Sequence, residues 1–240
     1  MQAIYPPQCI SCGAGVVSDF GLCAGCWKDT PFIGGTICQC CGAPLMGQAD
    51  AAGTALDGHE RCDDCLSLAR PWLLGRAALV YKDNGRALVL ALKHGDRMDL
   101  ARPAAGWMAR AAADILRPDV LVAPIPLHWT RLFKRRYNQA ALLSARLAGL
   151  TGLEHCPDLL TRARSTGTQE GRGRDGRFAN VQGAFRPTKS QRARLKGRHI
   201  LLVDDVMTSG ATFSAASETC LGAGAASVRV VALARVVKDA

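Results

Sequence analysis

From residue 75 onward the hydrophobic positions fall into two alternating patterns. Short apolar runs recur at Ala77–Tyr81, Val120–Ala123 and Ile200–Val203, and a valine-rich run closes the chain at Ala226–Leu233. An apolar run of this length without polar alternation is the pattern of a strand covered on both faces, as in a parallel sheet. Between the runs lie helix-like stretches. Gly85–His94 places Ala87, Leu88, Ala91 and Leu92 on one face, and Leu100–Leu116, Tyr137–Leu150 and Phe213–Leu221 are read as helices too. Leu159–Arg162 and Gly183–Phe185 are read as two more short strands, and Arg164–Gly176, without apolar periodicity, as a loop. Strands alternating with helices predict an α/β fold on a mainly parallel, doubly wound sheet.

The first 68 residues follow neither pattern. Nine of the eleven cysteines lie between Cys9 and Cys65, with little else there to form a core. Cys9 and Cys12 with Cys23 and Cys26 make one set of paired knuckles, and Cys38 and Cys41 with Cys62 and Cys65 make a second. Four thiolates at such spacing suit tetrahedral zinc in a closed structural site. Two sets in tandem predict a double zinc ribbon with one or two zinc ions, paired in sequence order by default. Cys40 is left over, and Gln48–Gly58 reads as the loop within the second set. The expected division is residues 1–68 as zinc-ribbon module and 69–240 as the α/β domain, with Ala69–Leu74 as the hinge.

Charge sharpens that division. The chain of 240 residues carries a formal net charge of +10. Residues 1–65 hold two basic and seven acidic side chains, whereas residues 162–198 hold eleven and two. An acidic head on a basic body attracts polyphosphate, nucleic acid, or both. Met1–Gln8 lacks a basic start and an apolar core, and no apolar run approaches the roughly 20 residues of a membrane span. The expected location is the cytoplasm, where clustered cysteines bind metal in preference to forming disulfides.

The run Ile200–Val203 leads into the densest chemistry. It is expected to end at Asp204 and Asp205, followed by Thr208-Ser209-Gly210-Ala211-Thr212 and then a helix. Backbone N–H groups and hydroxyls at a helix N-terminus suit a phosphate. Two carboxylates beside a phosphate make sense only if they hold another part of the same ligand, a sugar diol or a Mg²⁺ ion. A P-loop is excluded, because the turn has no lysine.

This stretch resembles the signature of type I phosphoribosyltransferases. The resemblance implies that Asp204 and Asp205 bind the ribose hydroxyls of 5-phosphoribosyl-1-pyrophosphate (PRPP). It also implies that Thr208, Ser209, Gly210, Ala211 and Thr212 bind its 5-phosphate, with magnesium accompanying the ligand. Three further segments resemble the ComF-type competence proteins. They are Tyr81-Lys82 with Leu92-Lys93-His94-Gly95-Asp96; Pro124–His128 with Arg131 and Arg135–Ala140; and Arg162-x-Arg164-x-Thr166-x-x-Gln169 with Arg177, Asn180 and Gly183–Phe185. Members of that family often have Gly-Phe where this chain has Arg136-Tyr137.

A departing pyrophosphate must have its charge stabilised. Arg135, Arg136, Arg162 and Arg164 are the candidate catalytic residues, since a guanidinium holds phosphate oxygens bidentately. Lys93 and His94 are weaker candidates, and His128 reads equally as loop packing. The favoured function is Mg²⁺-dependent transfer of phosphoribose from PRPP to an unidentified acceptor, linked through the resemblance to natural competence and DNA uptake. The alternatives are a non-catalytic PRPP-binding regulator, or a competence factor handling single-stranded DNA with other competence proteins. Aromatic residues make up only 5% of the chain, so the sequence offers no evident stacking platform for DNA.

Overall fold

The computed structural model describes residues 6–45, 60–164 and 174–237. Five parallel strands form the central sheet: β1 (Gly75–Val80), β2 (Val120–Pro124), β3 (Glu154–His155), β6 (His199–Met207) and β7 (Ser227–Arg235). Their order is β1-β7-β6-β2-β3. A separate antiparallel ribbon pairs β4 (Leu160–Arg162) with β5 (Phe185–Pro187). The two short runs around residues 160 and 185 therefore leave the main sheet.

The apolar runs behave as expected of strands buried on both faces. Along β6, Ile200 and Leu202 point into one apolar cluster while Leu201 and Val203 point into the other. Helices α3 (Asp83–His94), α4 (Ala101–Ala111) and α6 (Gln139–Thr151) cover the second of these faces. The first face is covered by α9 (Ala211–Gly222), the β4–β5 ribbon and the second set of cysteines. Each leucine so buried contributes roughly 1.5–3 kcal/mol. The shorter helices among the described residues are α1 (Ala24–Lys28), α2 (Asp63–Ser67), α5 (Trp129–Arg135), α7 (Arg174–Val181) and α8 (Arg192–Leu195).

Several boundaries differ from the expectations. The helix expected over Leu100–Leu116 begins with a 3-10 turn at Met98–Leu100 and ends at Ala111. The helix expected from Tyr137 starts at Gln139, because Asn138 is its cap and accepts the Ala140 N–H at 3.0 Å. α7 begins inside the stretch read as a loop, of which residues 165–173, like Gln48–Gly58, lie outside the described residues. Among the described residues no helix is long and apolar enough to cross a membrane.

Residues 69–74 form no loose hinge. Trp72, 3% exposed, donates its indole N–H to the Cys40 carbonyl at 2.6 Å. Gly75 donates its N–H to the Gln39 carbonyl at 3.0 Å, and a Cβ on Gly75 would stand 2.4 Å from the Cys40 carbonyl oxygen. Arg76 then ties Gln39 to Asp114, beyond the end of α4, through bonds to the Gln39 carbonyl and the Asp114 carboxylate. The second knuckle is thus packed directly on β1.

Candidate functional site

The acidic pair owes its position to an uneven strand end. β6 does not stop at Asp204: its ladder to β7 continues through Asp204↔Ala232 and Val206↔Ala234 to Met207↔Arg235. Its ladder to β2 ends at Pro124↔Val203. The two carboxylates therefore lie one and two residues past the end of the β2 ladder, still held by β7, at the carboxyl edge where parallel α/β sheets bind ligands.

Their electrostatics are asymmetric. Asp205, 8% exposed, pairs with Lys93 Nζ at 3.2 Å. Asp204 accepts the Asp205 N–H at 2.9 Å. Burial, reinforced by the neighbouring Asp205 charge, pushes the Asp204 carboxyl up to about 7, against the pull of that N–H, Lys93 and Arg162. A carboxylate so raised gains from any ligand that brings hydroxyl donors or a cation. An oxygen-only donor set of this kind fits a hard divalent ion such as Mg²⁺, while the cysteine sets fit zinc.

Lys93 is placed from two sides. It lies in the last turn of α3, whose carbonyls at Leu92 and Lys93 accept bonds from the Tyr137 hydroxyl (2.7 Å) and the Gln139 side chain (3.5 Å). Asn138 reaches the Ile125 carbonyl at 3.1 Å, fixing the same segment to the end of β2. The Tyr-Asn-Gln run thus acts on the acidic pair indirectly, through the helix that carries Lys93.

After Met207 the chain turns sharply into α9. Gly210 caps that helix in the left-handed region at φ +80°, a conformation that favours glycine. A Cβ there would also lie 3.0 Å from both Arg70 Nη1 and the Trp72 ring. The turn's carbonyls are tied back: Ser209 O accepts from Arg70 at 2.8 Å, and Met207 O accepts from Arg235 at 3.3 Å. Arg235 also donates to Thr208 O.

In the head, the sulfur atoms of Cys9, Cys12, Cys23 and Cys26 lie within 4.8 Å of one another, as do those of Cys38, Cys41, Cys62 and Cys65. Hydrogen bonds with the Cys41, Cys62 and Cys65 thiols hold Cys38 well below the usual thiol range. At Cys9 burial opposes ionisation, but backbone N–H groups of Cys12, Cys23 and Ser11 outweigh it and bring the thiol down to about 6. Thiolates gathered at such distances fit tetrahedral structural zinc in two sites.

A double zinc ribbon domain model matches residues 1–66, and a phosphoribosyl transferase domain model matches residues 157–239. The DNA utilization protein YhgH of Salmonella typhimurium is 31% identical over 225 residues, spanning 91% of this chain and 92% of its own. Its Escherichia coli counterpart is 29% identical over 222 residues, spanning 90% and 91%. Competence protein F of Haemophilus influenzae is 28% identical over 245 residues, spanning 98% of this chain and 100% of its own. The chain belongs to the ComF-type competence protein family.

Within this ComF-type protein the candidate arginines occupy different settings. Arg162 stacks over Phe185, its guanidinium carbon 5.3 Å from the ring centre, and its charge favours ionisation of Asp204. Arg164 donates to the carbonyls of Asn180 (3.1 Å) and Gln182 (2.8 Å) at the end of α7. Arg136 is exposed in a left-handed turn after α5, at φ +66°. Arg135 closes α5, and its side chain lies outside the described part of the chain. His128 caps α5, its Nδ1 2.8 Å from the Thr130 hydroxyl. Residues the sequence did not single out are Arg70, Trp72 and Arg235. The one available signal was an arginine and a tryptophan flanking Pro71 next to the last knuckle.

Proposed function

We propose that this protein binds PRPP with magnesium and transfers its phosphoribose to an acceptor, releasing pyrophosphate. Asp204 and Asp205 accept hydrogen bonds from the two ribose hydroxyls, and the amides and hydroxyls from Thr208 to Thr212 hold the 5-phosphate. Arg162 and Lys93 lie beside the acidic pair, where their charges offset that of the leaving pyrophosphate. Magnesium, when bound with the ligand, would supply further charge neutralisation; Asp204, whose ionised form is disfavoured by burial and by the Asp205 charge, is the carboxylate that would gain most from it. The observation that carries this reading is the juxtaposition of a carboxylate pair overhanging β2 with a left-handed glycine opening α9. The matched phosphoribosyl transferase domain model supports it.

A second reading, single-stranded DNA handling, is favoured by one feature of the fold. Trp129 and Phe133, one helical turn apart on α5, are 70% and 88% exposed in a run that also contains Arg131, Lys134, Arg135 and Arg136. Exposed rings of this kind offer unpaired bases a surface to stack on, and the relatives' names refer to DNA utilization and competence. Here DNA would be a partner or itself the acceptor.

The deciding experiment measures pyrophosphate release from PRPP with magnesium, across free nucleobases and single-stranded oligonucleotides. Magnesium-dependent release with one acceptor class is expected. PRPP bound without release across the panel would reduce the protein to the regulatory alternative.

A further inference from the structure

We infer that Arg70, Trp72 and Arg235 are positioning residues of the turn Thr208–Gly210, anchored by the second cysteine cluster. Metal in that cluster and ligand in the turn are then thermodynamically linked. This rests on the reading of the turn as a phosphate cradle.

A trans peptide points its C=O and the next N–H in opposite directions. Two guanidinium groups take the three consecutive carbonyls of Met207, Thr208 and Ser209. Tying those oxygens down fixes the N–H groups of Thr208, Ser209 and Gly210 on the side away from the arginines. An amide array of this kind binds anions well when it is ordered before the ligand arrives.

The support continues to the metal site. Arg70 lies over the Trp72 and Phe178 rings, at 5.4 and 5.8 Å from their centres, and fills the space left by the absent side chain of Gly210. Trp72 packs edge-on against Phe213 of α9 and donates to the carbonyl of Cys40, which lies between Cys38 and Cys41. Metal binding orders a knuckle that is otherwise loose, because binding energy in such sites is folding energy. Without it Trp72 loses a fixed acceptor, and Arg70 loses the surface it rests on. Among the described residues the contacts of the first cluster lead elsewhere: from Ser11 to Asn84 (2.6 Å), from Asn84 to the Cys26 carbonyl (3.3 Å), from Arg97 to the Ile10 carbonyl (3.2 Å), and through Ile10, Trp27, Phe32 and Trp107 to the opposite face of the sheet.

The test uses the full chain with Arg70→Ala, Arg70→Lys, Cys62→Ser and Cys12→Ser, and as a control Arg97→Ala, an arginine that donates to the Ile10 carbonyl beside the first cluster. Hydrogen exchange of the turn amides is measured without ligand, and PRPP binding with magnesium by calorimetry. Arg70→Ala should speed exchange of the turn and weaken PRPP about tenfold, the loss of one charge-assisted bond. Arg70→Lys, which keeps one donor, should recover part of both. Cys62→Ser should speed turn exchange, whereas Cys12→Ser and Arg97→Ala should not. Unchanged turn exchange in both Arg70 variants would overturn the inference, as would equal effects of Cys12→Ser and Cys62→Ser. If wild type binds no PRPP while Arg70→Ala and Cys62→Ser still loosen the turn, the positioning of the turn by the second cluster stands and the phosphate reading alone fails.

Discussion

The two cysteine clusters have the same knuckle spacing and meet opposite faces of the sheet, the second far more deeply buried than the first. In the first, Cys12 is exposed and Cys9 alone is buried; the cluster meets the body through Ile10, Ser11, Asn84 and aromatic rings, on the face of the sheet away from α9. In the second, Cys38, Cys41 and Cys65 are buried in the same apolar cluster as β6, β7 and α9. The difference lies outside the ligands. Gly42, at φ +69°, lets the knuckle backbone approach β1, since a Cβ there would stand 2.6 Å from the Ala77 nitrogen. Gly75 makes the reciprocal approach from β1, and Trp72 closes the gap. Spacing of cysteines sets what is coordinated, and the neighbouring small and large residues set what the coordination supports.

The sharpest way to break this contrast is to wedge the second cluster away from the sheet. Gly75→Val inserts atoms where the Cys40 carbonyl already stands. It should destabilise the protein by about 3 kcal/mol or more and loosen one of the two zinc ions. Thermal melting with zinc analysis measures both. Gly34→Val, in open space within the head, should change neither.

A variant of opposite sign separates scaffold from ligand face. Burial and the Asp205 charge push the Asp204 carboxyl up to about 7, against 3.8 for an ordinary aspartate. Between those values the native state binds more protons than the unfolded state, so stability falls as pH rises through the window. Asp204→Asn removes that cost and should stabilise the ligand-free protein at pH 8, with little effect below pH 4. Urea unfolding at the two pH values checks it, and no gain at pH 8 would mean that Asp204 is already satisfied.

The smallest expected effect tests the looser cluster. Cys12→Ser should release one zinc yet shift the stability of β6 and β7, read by hydrogen exchange, by no more than about 0.5 kcal/mol. A larger shift would make the two clusters equivalent supports.

Much of this architecture was legible because buried parallel strands and zinc knuckles write themselves locally. Val120–Ala123, Ile200–Val203 and the cysteine pairs need no partner to be recognised. What escaped depends on register and distance in the chain. A pair of aspartates marks the end of an apolar run, yet β6 continues to Met207, because β7 extends alongside it while β2 stops. β3 is two polar residues, Glu154 and His155, with no pattern to read. Arg70 looks like part of a hinge until Ser209, 139 positions later, comes to rest against it. Arg164, singled out for its charge, is engaged by carbonyls at the end of α7. Charge alone could not separate it from Arg162.

The claim on which the rest depends is that the carboxylate pair and the turn hold PRPP. Calorimetric titration of PRPP with magnesium into wild type and the Asp204→Asn/Asp205→Asn variant tests it most directly. The substitution keeps size and removes the charge that strengthens bonds to hydroxyls, at a cost of about 1.5–3 kcal/mol for each bond lost. Affinity should fall by roughly tenfold or more, with zinc content unchanged. Equal affinity in the two proteins would contradict the account.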